Sequence, residues 1–219
     1  MLTNARLPKG LSVGQATVAD LLRPCEKRRA IFYDIGLIIG GSLLIGLCAQ
    51  LRIWLPFSRV PVTGQTFAVL MIGALLGTRR GCFAVVAYIT EGVAGLPVFA
   101  AGVGFAALRG ITGGYLVGFV PAAYIVGLLA ERGWDRRVGT TILAMVSGNM
   151  VIYAFGLLWL SYLPGVNNVL REGLYPFIMG DVLKIALAAI LLPSGWKLLG
   201  YIGLPAKENR QQQGSASAD

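Results

Sequence analysis

The chain has 219 residues, 56% of them hydrophobic and 13% charged, with a formal net charge of +9 and a mean hydropathy of +0.70. That leaves too little polar surface to coat a soluble globule and points to a single all-α integral membrane domain. Histidine is absent, and Cys25, Cys48 and Cys82 have no CxxC spacing. A His-based triad, a haem site and the usual zinc sites are therefore excluded, and structural thiols are expected, with no metal and no cofactor.

Residues 1–30 contain Pro, Gly and six basic residues but no apolar core of the length a secretory signal needs. They are expected to form a basic cytoplasmic N-terminal segment, partly helical. A six-helix membrane domain is expected over 31–196, with apolar spans at about 31–50, 66–78, 82–96, 112–130, 139–162 and 175–193. A crossing needs roughly 20 residues, so the second and third spans are short. They are joined by "GTRRG" (77–81), a tight turn, and equally count as one hairpin or as tilted helices. Residues 197–219 are expected to be a cytoplasmic tail. Its end, "KENRQQQGSASAD" (207–219), is polar, low in complexity and expected to be disordered.

Basic residues set the orientation, because cytoplasmic loops retain them. One side holds Arg6, Lys9, Arg23, Lys27, Arg28, Arg29, Arg79, Arg80, Arg132, Arg136, Arg137, Lys197, Lys207 and Arg210, and the other only Arg52, Arg59, Arg109 and Arg171. Both termini are accordingly expected in the cytoplasm of a plasma-membrane protein. Contact with anionic lipid accounts for the +9 charge without nucleic acid. Lys184 alone remains inside a span.

The other intramembrane charges are Asp34, at the cytoplasmic start of the first span, Glu91 in the third, and Asp181. An intramembrane Lys or Asp costs about 2.5–3.5 kcal/mol on insertion scales, so an unpaired one does not face lipid. Asp181 and Lys184, at i and i+3, share a helical face. A rise of 1.5 Å per residue from Tyr175 places them roughly 10 and 15 Å below the outer surface. Two roles compete: a pair that neutralises itself or joins two helices, or a ligand site. Coulomb attraction repays burial of an ion pair only with further hydrogen bonds, and a ligand can supply them. Lys184 offers donors to a carboxylate and Asp181 accepts from N–H groups, which together describe a small polar-ended solute. Glu91, also about 15 Å deep by its helical rise, has three open roles: part of the site, a partner of Lys184, or a protonated structural group.

Long loops on the outer side suit an outward-facing pocket. "RIWLPFSRVPVTGQT" (52–66) carries Pro56 and Pro61 and is expected to be extended. The stretch 95–119 is glycine-rich, and irregular backbone at membrane depth is tolerated where protein buries it or where it lines a cavity.

"VPVTGQTFAVLMIGALLG" (60–77), "AGLPVF" (94–99), "ITGGYLVGF" (111–119) and "GDVLKIALA" (180–188) resemble, in order, the signature stretches of the BioY family. Its members are biotin-binding substrate-capture components of energy-coupling-factor (ECF) transporters. The resemblance runs from about 33 to 193. It implies a six-helix protein that captures biotin from outside and works with an energising module of a transmembrane coupling protein and two ATPases. It also implies that Asp181 and Lys184 belong to the biotin site. The valerate carboxylate suits Lys184, and the ureido N–H groups suit Asp181. Phe99, Tyr115 and Tyr88 are candidates for the apolar wall, with Tyr115, beside Thr112, favoured. Val62, Thr63, Gln65 and Thr66 are candidates for a loop lid. Gly64 stands where the family commonly has a bulkier apolar residue and Ile111 where it commonly has Pro; the loop between Phe99 and Ile111 is poorer in glycine than usual.

No GxxxxGK[ST] phosphate loop occurs, so energy comes from a partner or an ion gradient, or transport is only facilitated. Gly36 and Gly40, and Ser42 and Gly46, are small residues four apart on the first span, a pattern that permits close helix approach. The family's partner docks on such a face, and internal packing explains it equally. The alternative to a binding component is a membrane enzyme that uses Asp181, Lys184 and Glu91 as acid and base, or a component for another small vitamin.

Overall fold

The structure, a computed structural model, describes residues 16–54, 56, 60–166 and 168–201. Most of the expected leader, Arg59 in the first outer loop and the tail beyond 201 lie outside the described residues. Among the described residues, five segments are long and apolar enough to cross a membrane: Lys27–Gln50, Gln65–Val93, Gly113–Glu131, Val138–Ser161 and Val169–Tyr201.

Helix α1 (Val18–Leu21) precedes α2 (Lys27–Gln50), a span of about 36 Å at 1.5 Å per residue. A short antiparallel ribbon follows, β1 (Arg52–Ile53) against β2 (Val62–Thr63), with Arg52 opposite Thr63 and Ile53 opposite Val62. Helix α3 (Gln65–Val93) contains the two short spans expected at 66–78 and 82–96 as its two arms, broken at Gly77 (φ 81°, ψ −178°). The chain reverses there. Gln65 Nε2 donates to the Tyr88 hydroxyl, whereas 23 residues of straight helix would hold them about 35 Å apart. The turn is fixed from outside, since the Thr78 N–H donates to Glu131 Oε1 at 2.7 Å.

The remaining elements are α4 (Gly104–Arg109), α5 (Gly113–Glu131), a 3-10 turn (Trp134–Arg136), α6 (Val138–Ser161), α7 (Val169–Gly173) and α8 (Tyr175–Tyr201). Helix α5 is central, packed on both α3 and α6. Small residues allow this, since a Cβ at Gly73 would lie 2.8 Å from the Ala123 carbonyl oxygen. By contrast α2 leaves Phe32, Ile35, Leu43 and Leu47 exposed, and α8 leaves Met179, Val182 and Leu183 exposed. Such faces suit hydrocarbon, in which a helix has already satisfied its own backbone.

The packing at the two ends goes beyond what was expected of them. From residue 16 the N-terminal segment is packed into the helices: Ala16, Thr17, Ala19 and Leu21 are buried. Arg80 pairs with Asp20 at 2.8 Å and Asp34 at 2.7 Å, and Arg23 with Asp34 at 2.6 Å. Small buried Ala and Thr leave no hydrophobic periodicity, which is why this packing is invisible in the sequence. At the other end α8 continues past Pro193 to Tyr201. Trp196 gives a tertiary reason: its indole N–H donates to Asp135 Oδ2 at 2.5 Å, and the Arg136 guanidinium lies 4.3 Å from its ring centroid.

Asp135 in that 3-10 turn is 2% exposed, and burial pushes its carboxyl up to about 6 against the opposing effects of the Trp196 N–H and Arg136. A raised carboxyl pKa means the folded state binds more protons, so this contribution is present near pH 4 and lost as pH rises through 6. Asp135→Asn keeps an acceptor for Trp196 and removes the charge. Thermal unfolding in detergent is expected to show the variant more stable than the parent at pH 7.5, by up to about 3 kcal/mol, with no gain at pH 4.

Candidate functional site

A cavity with about 470 Å³ of atom-free space, part of it open to solvent, lies where the ribbon, the first arm of α3, α5, α6 and α8 converge. Its lining is largely apolar: Val60, Pro61, Leu116, Phe119, Ile152 and Phe177, with Tyr115 and Tyr153. The polar members are Thr63, Gln65, Thr66, Thr112 and Lys184. Among the described residues, Lys184 is the only charged one in the lining.

Helical spacing on α8 brings Asp181 and Lys184 to one face, as the i, i+3 reading expects. The Lys184 ammonium donates to Asp181 Oδ1 at 3.1 Å and to Thr66 Oγ1 at 2.9 Å, so two of its three donors have acceptors among the described residues. Asp181 is 5% exposed and lies behind the lining. Its other oxygen, Oδ2, accepts from the Tyr153 hydroxyl. The carboxylate is thus clamped between a cavity lysine and a cavity tyrosine, which fixes both side chains.

The aromatic wall centres on Phe177, whose ring centroid lies 6.2 Å from Tyr115 and 6.4 Å from Tyr153. Tyr115 is buried, with its hydroxyl donated to the Gly173 carbonyl at 2.8 Å, and Thr112 lines the cavity beside it. Phe99 and Tyr88 lie elsewhere: they pack edge-to-face at 5.5 Å, outside the lining. Tyr88 nevertheless supports the site, because its hydroxyl takes the Gln65 amide and donates to the Val98 carbonyl at 3.3 Å.

Of the lid candidates, Thr63, Gln65 and Thr66 line the cavity. Val62 turns towards α8, its Cγ1 3.7 Å from the position a Cβ would take at Gly180. Arg52 of β1 donates to the Ala100 carbonyl, tying the ribbon to the 94–103 connection. The departure at Gly64 has a local cause, since a Cβ there would lie 2.9 Å from the Cys48 carbonyl oxygen.

Glu91 is not brought to Asp181 and Lys184. Its Oε1 accepts from the Ser42 hydroxyl at 2.8 Å, which joins the second arm of α3 to α2. The four small residues of α2 divide accordingly. Ser42 and Gly46 are buried, a Cβ on Gly46 lying 3.3 Å from Val98 Cβ, whereas Gly36 and Gly40 are exposed with open space around them. Lining residues that sequence reasoning missed are Tyr153, Ile152, Phe119, Phe177, Leu116, Ala100, Val60 and Pro61. For Tyr153 a signal existed: Asn149 and Tyr153 are polar, four apart and on one face of an otherwise apolar span.

The BioY family model matches residues 23–201. The chain is 35% identical over 175 residues to the biotin transporter BioY of Rhizobium etli, covering 76% of this chain and 92% of that protein. It is 38% identical over 139 residues to the biotin transporter BioY of Thermotoga maritima, covering 63% and 81%. Among solved structures it matches the S-component for biotin from an ECF-type ABC transporter with a TM-score of 0.67 and 23% identity. That match covers 80% of this chain and 95% of the other, a likeness of fold. Family match and apolar helices together make this a multi-pass membrane protein, and the chain belongs to the BioY family.

Proposed function

We propose that this protein takes up biotin, capturing it from the extracytoplasmic side as the substrate-binding component of an ECF-type transporter. One observation carries the chemistry: among the described residues, a lysine is the only charged member of an otherwise largely apolar lining. A cation in that setting is a receptor for a carboxylate on an apolar body. Biotin, named by the transporters this chain resembles, has that shape. Its carboxylate meets Lys184, and its thiophane ring lies against Tyr115, Phe177 and Tyr153. Asp181, behind the lining, positions Lys184 and Tyr153 through its two oxygens.

Counting the two arms of α3 separately gives six passages, which put both termini in the cytoplasm and the cavity outside, as the distribution of Lys and Arg favours. Coupling to a transmembrane protein and two ATPases uses the exposed Gly36–Gly40 face of α2. An acid–base enzyme finds less support, with Glu91 bonded to Ser42 and away from Lys184.

Uptake of labelled biotin in a biotin-requiring host, with and without an energising module, tests ligand and coupling together. Saturable uptake is expected. No uptake in either host, or purified protein returning biotin chemically altered, overturns the reading.

A further inference from the structure

A second cleft opens at the turn end of the α3 hairpin, the opposite end from the cavity, between α1, α2, the turn and α5. It has about 1780 Å³ of atom-free space, much of it open. Helix α2 packs on α3, and no comparable packing joins it to α5, which leaves the gap. The carboxylates in it are engaged: Asp20 and Asp34 by Arg80 and Arg23, and Glu131 by the Thr78 N–H. The cations are in surplus. Arg79 and Arg132 line the cleft, both are exposed, and among the described residues neither pairs with a carboxylate. Arg23 Nε is buried with no hydrogen-bond acceptor among the described residues. Beside these groups the walls turn apolar, with Phe83 60% and Tyr124 50% exposed and Leu128 adjoining.

Surplus guanidinium next to an apolar wall describes an amphiphile with an anionic head. We propose that this cleft binds one anionic phospholipid, its phosphate between Arg79 and Arg132 and in reach of Arg23 Nε, and an acyl chain along Phe83, Tyr124 and Leu128. Arg is suited to bidentate phosphate contact, and basic groups at a membrane surface attract anionic lipid. A free phosphate has no use for the apolar wall. A transmembrane helix of another protein covers the wall but leaves the guanidiniums and the buried Nε without an anion.

The test is native mass spectrometry of the purified full chain in neutral detergent, titrated with phosphatidylglycerol, with phosphatidylcholine of the same acyl chains, and with glycerol 3-phosphate. One phosphatidylglycerol is expected to be retained at least about tenfold more tightly than phosphatidylcholine, with glycerol 3-phosphate not retained. Arg79→Gln with Arg132→Gln is expected to lower that retention by about thirtyfold, roughly fivefold per arginine, with the lipid-free melting temperature unchanged. Should the double variant misfold, phosphatidylglycerol with a photoreactive acyl chain is applied to the parent protein and is expected to label the Phe83 and Tyr124 segments. Equal retention of the two lipids, equal retention by parent and folded variant, or labelling elsewhere overturns the proposal. Binding of glycerol 3-phosphate as tight as the lipid assigns the cleft to a soluble phosphate. Capture of a protein chain in native membranes by a photoreactive residue at Tyr124 assigns it to a helix.

Discussion

Lys184→Met is expected to weaken biotin binding by at least about a hundredfold, while an analogue with a neutral amide in place of the carboxylate loses no more than about tenfold on the same change. Truncating one member of a buried, hydrogen-bonded charge pair costs about 2–5 kcal/mol in binding, and about 2.7 kcal/mol is a factor of one hundred. Methionine keeps the length of the side chain and its apolar stem, so the loss reports the ammonium. The variant also leaves Asp181 with Tyr153 as its one remaining side-chain donor among the described residues, and breaking a buried pair costs stability of order 3–5 kcal/mol. Asp181→Asn together with Lys184→Met separates the two effects: stability returns because no charge is left alone, and affinity does not. Isothermal titration with biotin and its amide, beside thermal unfolding of each variant, makes the comparison. Equal losses for the two ligands would remove Lys184 from carboxylate recognition.

Gly77→Ala is expected to destabilise the fold by about 3–6 kcal/mol and to abolish ligand binding with it. The backbone there, φ 81° and ψ −178°, lies in a region essentially confined to glycine, with a strain cost of order 1–3 kcal/mol for other residues. An added Cβ would also lie 2.8 Å from Glu131 Oε1 and 3.0 Å from Thr17 Cγ2. Glu131 can move aside only by releasing the Thr78 N–H, a charge-assisted bond of about 1.5–3 kcal/mol. Gly36→Ala is the control, since nothing lies within 4 Å of its added Cβ. The fraction of monodisperse protein in detergent and its melting temperature decide the matter. A folded, biotin-binding Gly77→Ala would mean that the reversal does not depend on glycine.

The sequence carried much of this site and little of its support. Lys184 was legible because charge in a membrane span is expensive, so one lysine left over from the topology count had to have a use. Its partner Asp181 followed from helical spacing. The hairpin at 77–81 was legible from "GTRRG", although the choice between hairpin and tilted spans needed the Gln65–Tyr88 contact. Tyr153 escaped notice because a phenol sits comfortably in an apolar span, and only the tertiary fold shows what its hydroxyl meets. Glu91 had three open roles for the same reason: its partner Ser42 is 49 residues away, and no spacing rule spans that separation. The small residues of α2 read as one face from their four-residue spacing, yet the two pairs are offset along the helix. Gly36 and Gly40 look outward, whereas Ser42 and Gly46 look in.

The ribbon over the cavity has only two residue pairs, and a two-stranded ribbon is marginal in water on its own. Arg52, on the Ala100 carbonyl, therefore gives this ribbon a hold on the far rim that its own two pairs do not supply. Arg52→Ala is expected to loosen the ribbon, read as faster amide hydrogen exchange at Val62 and Thr63 while the long helices are unchanged.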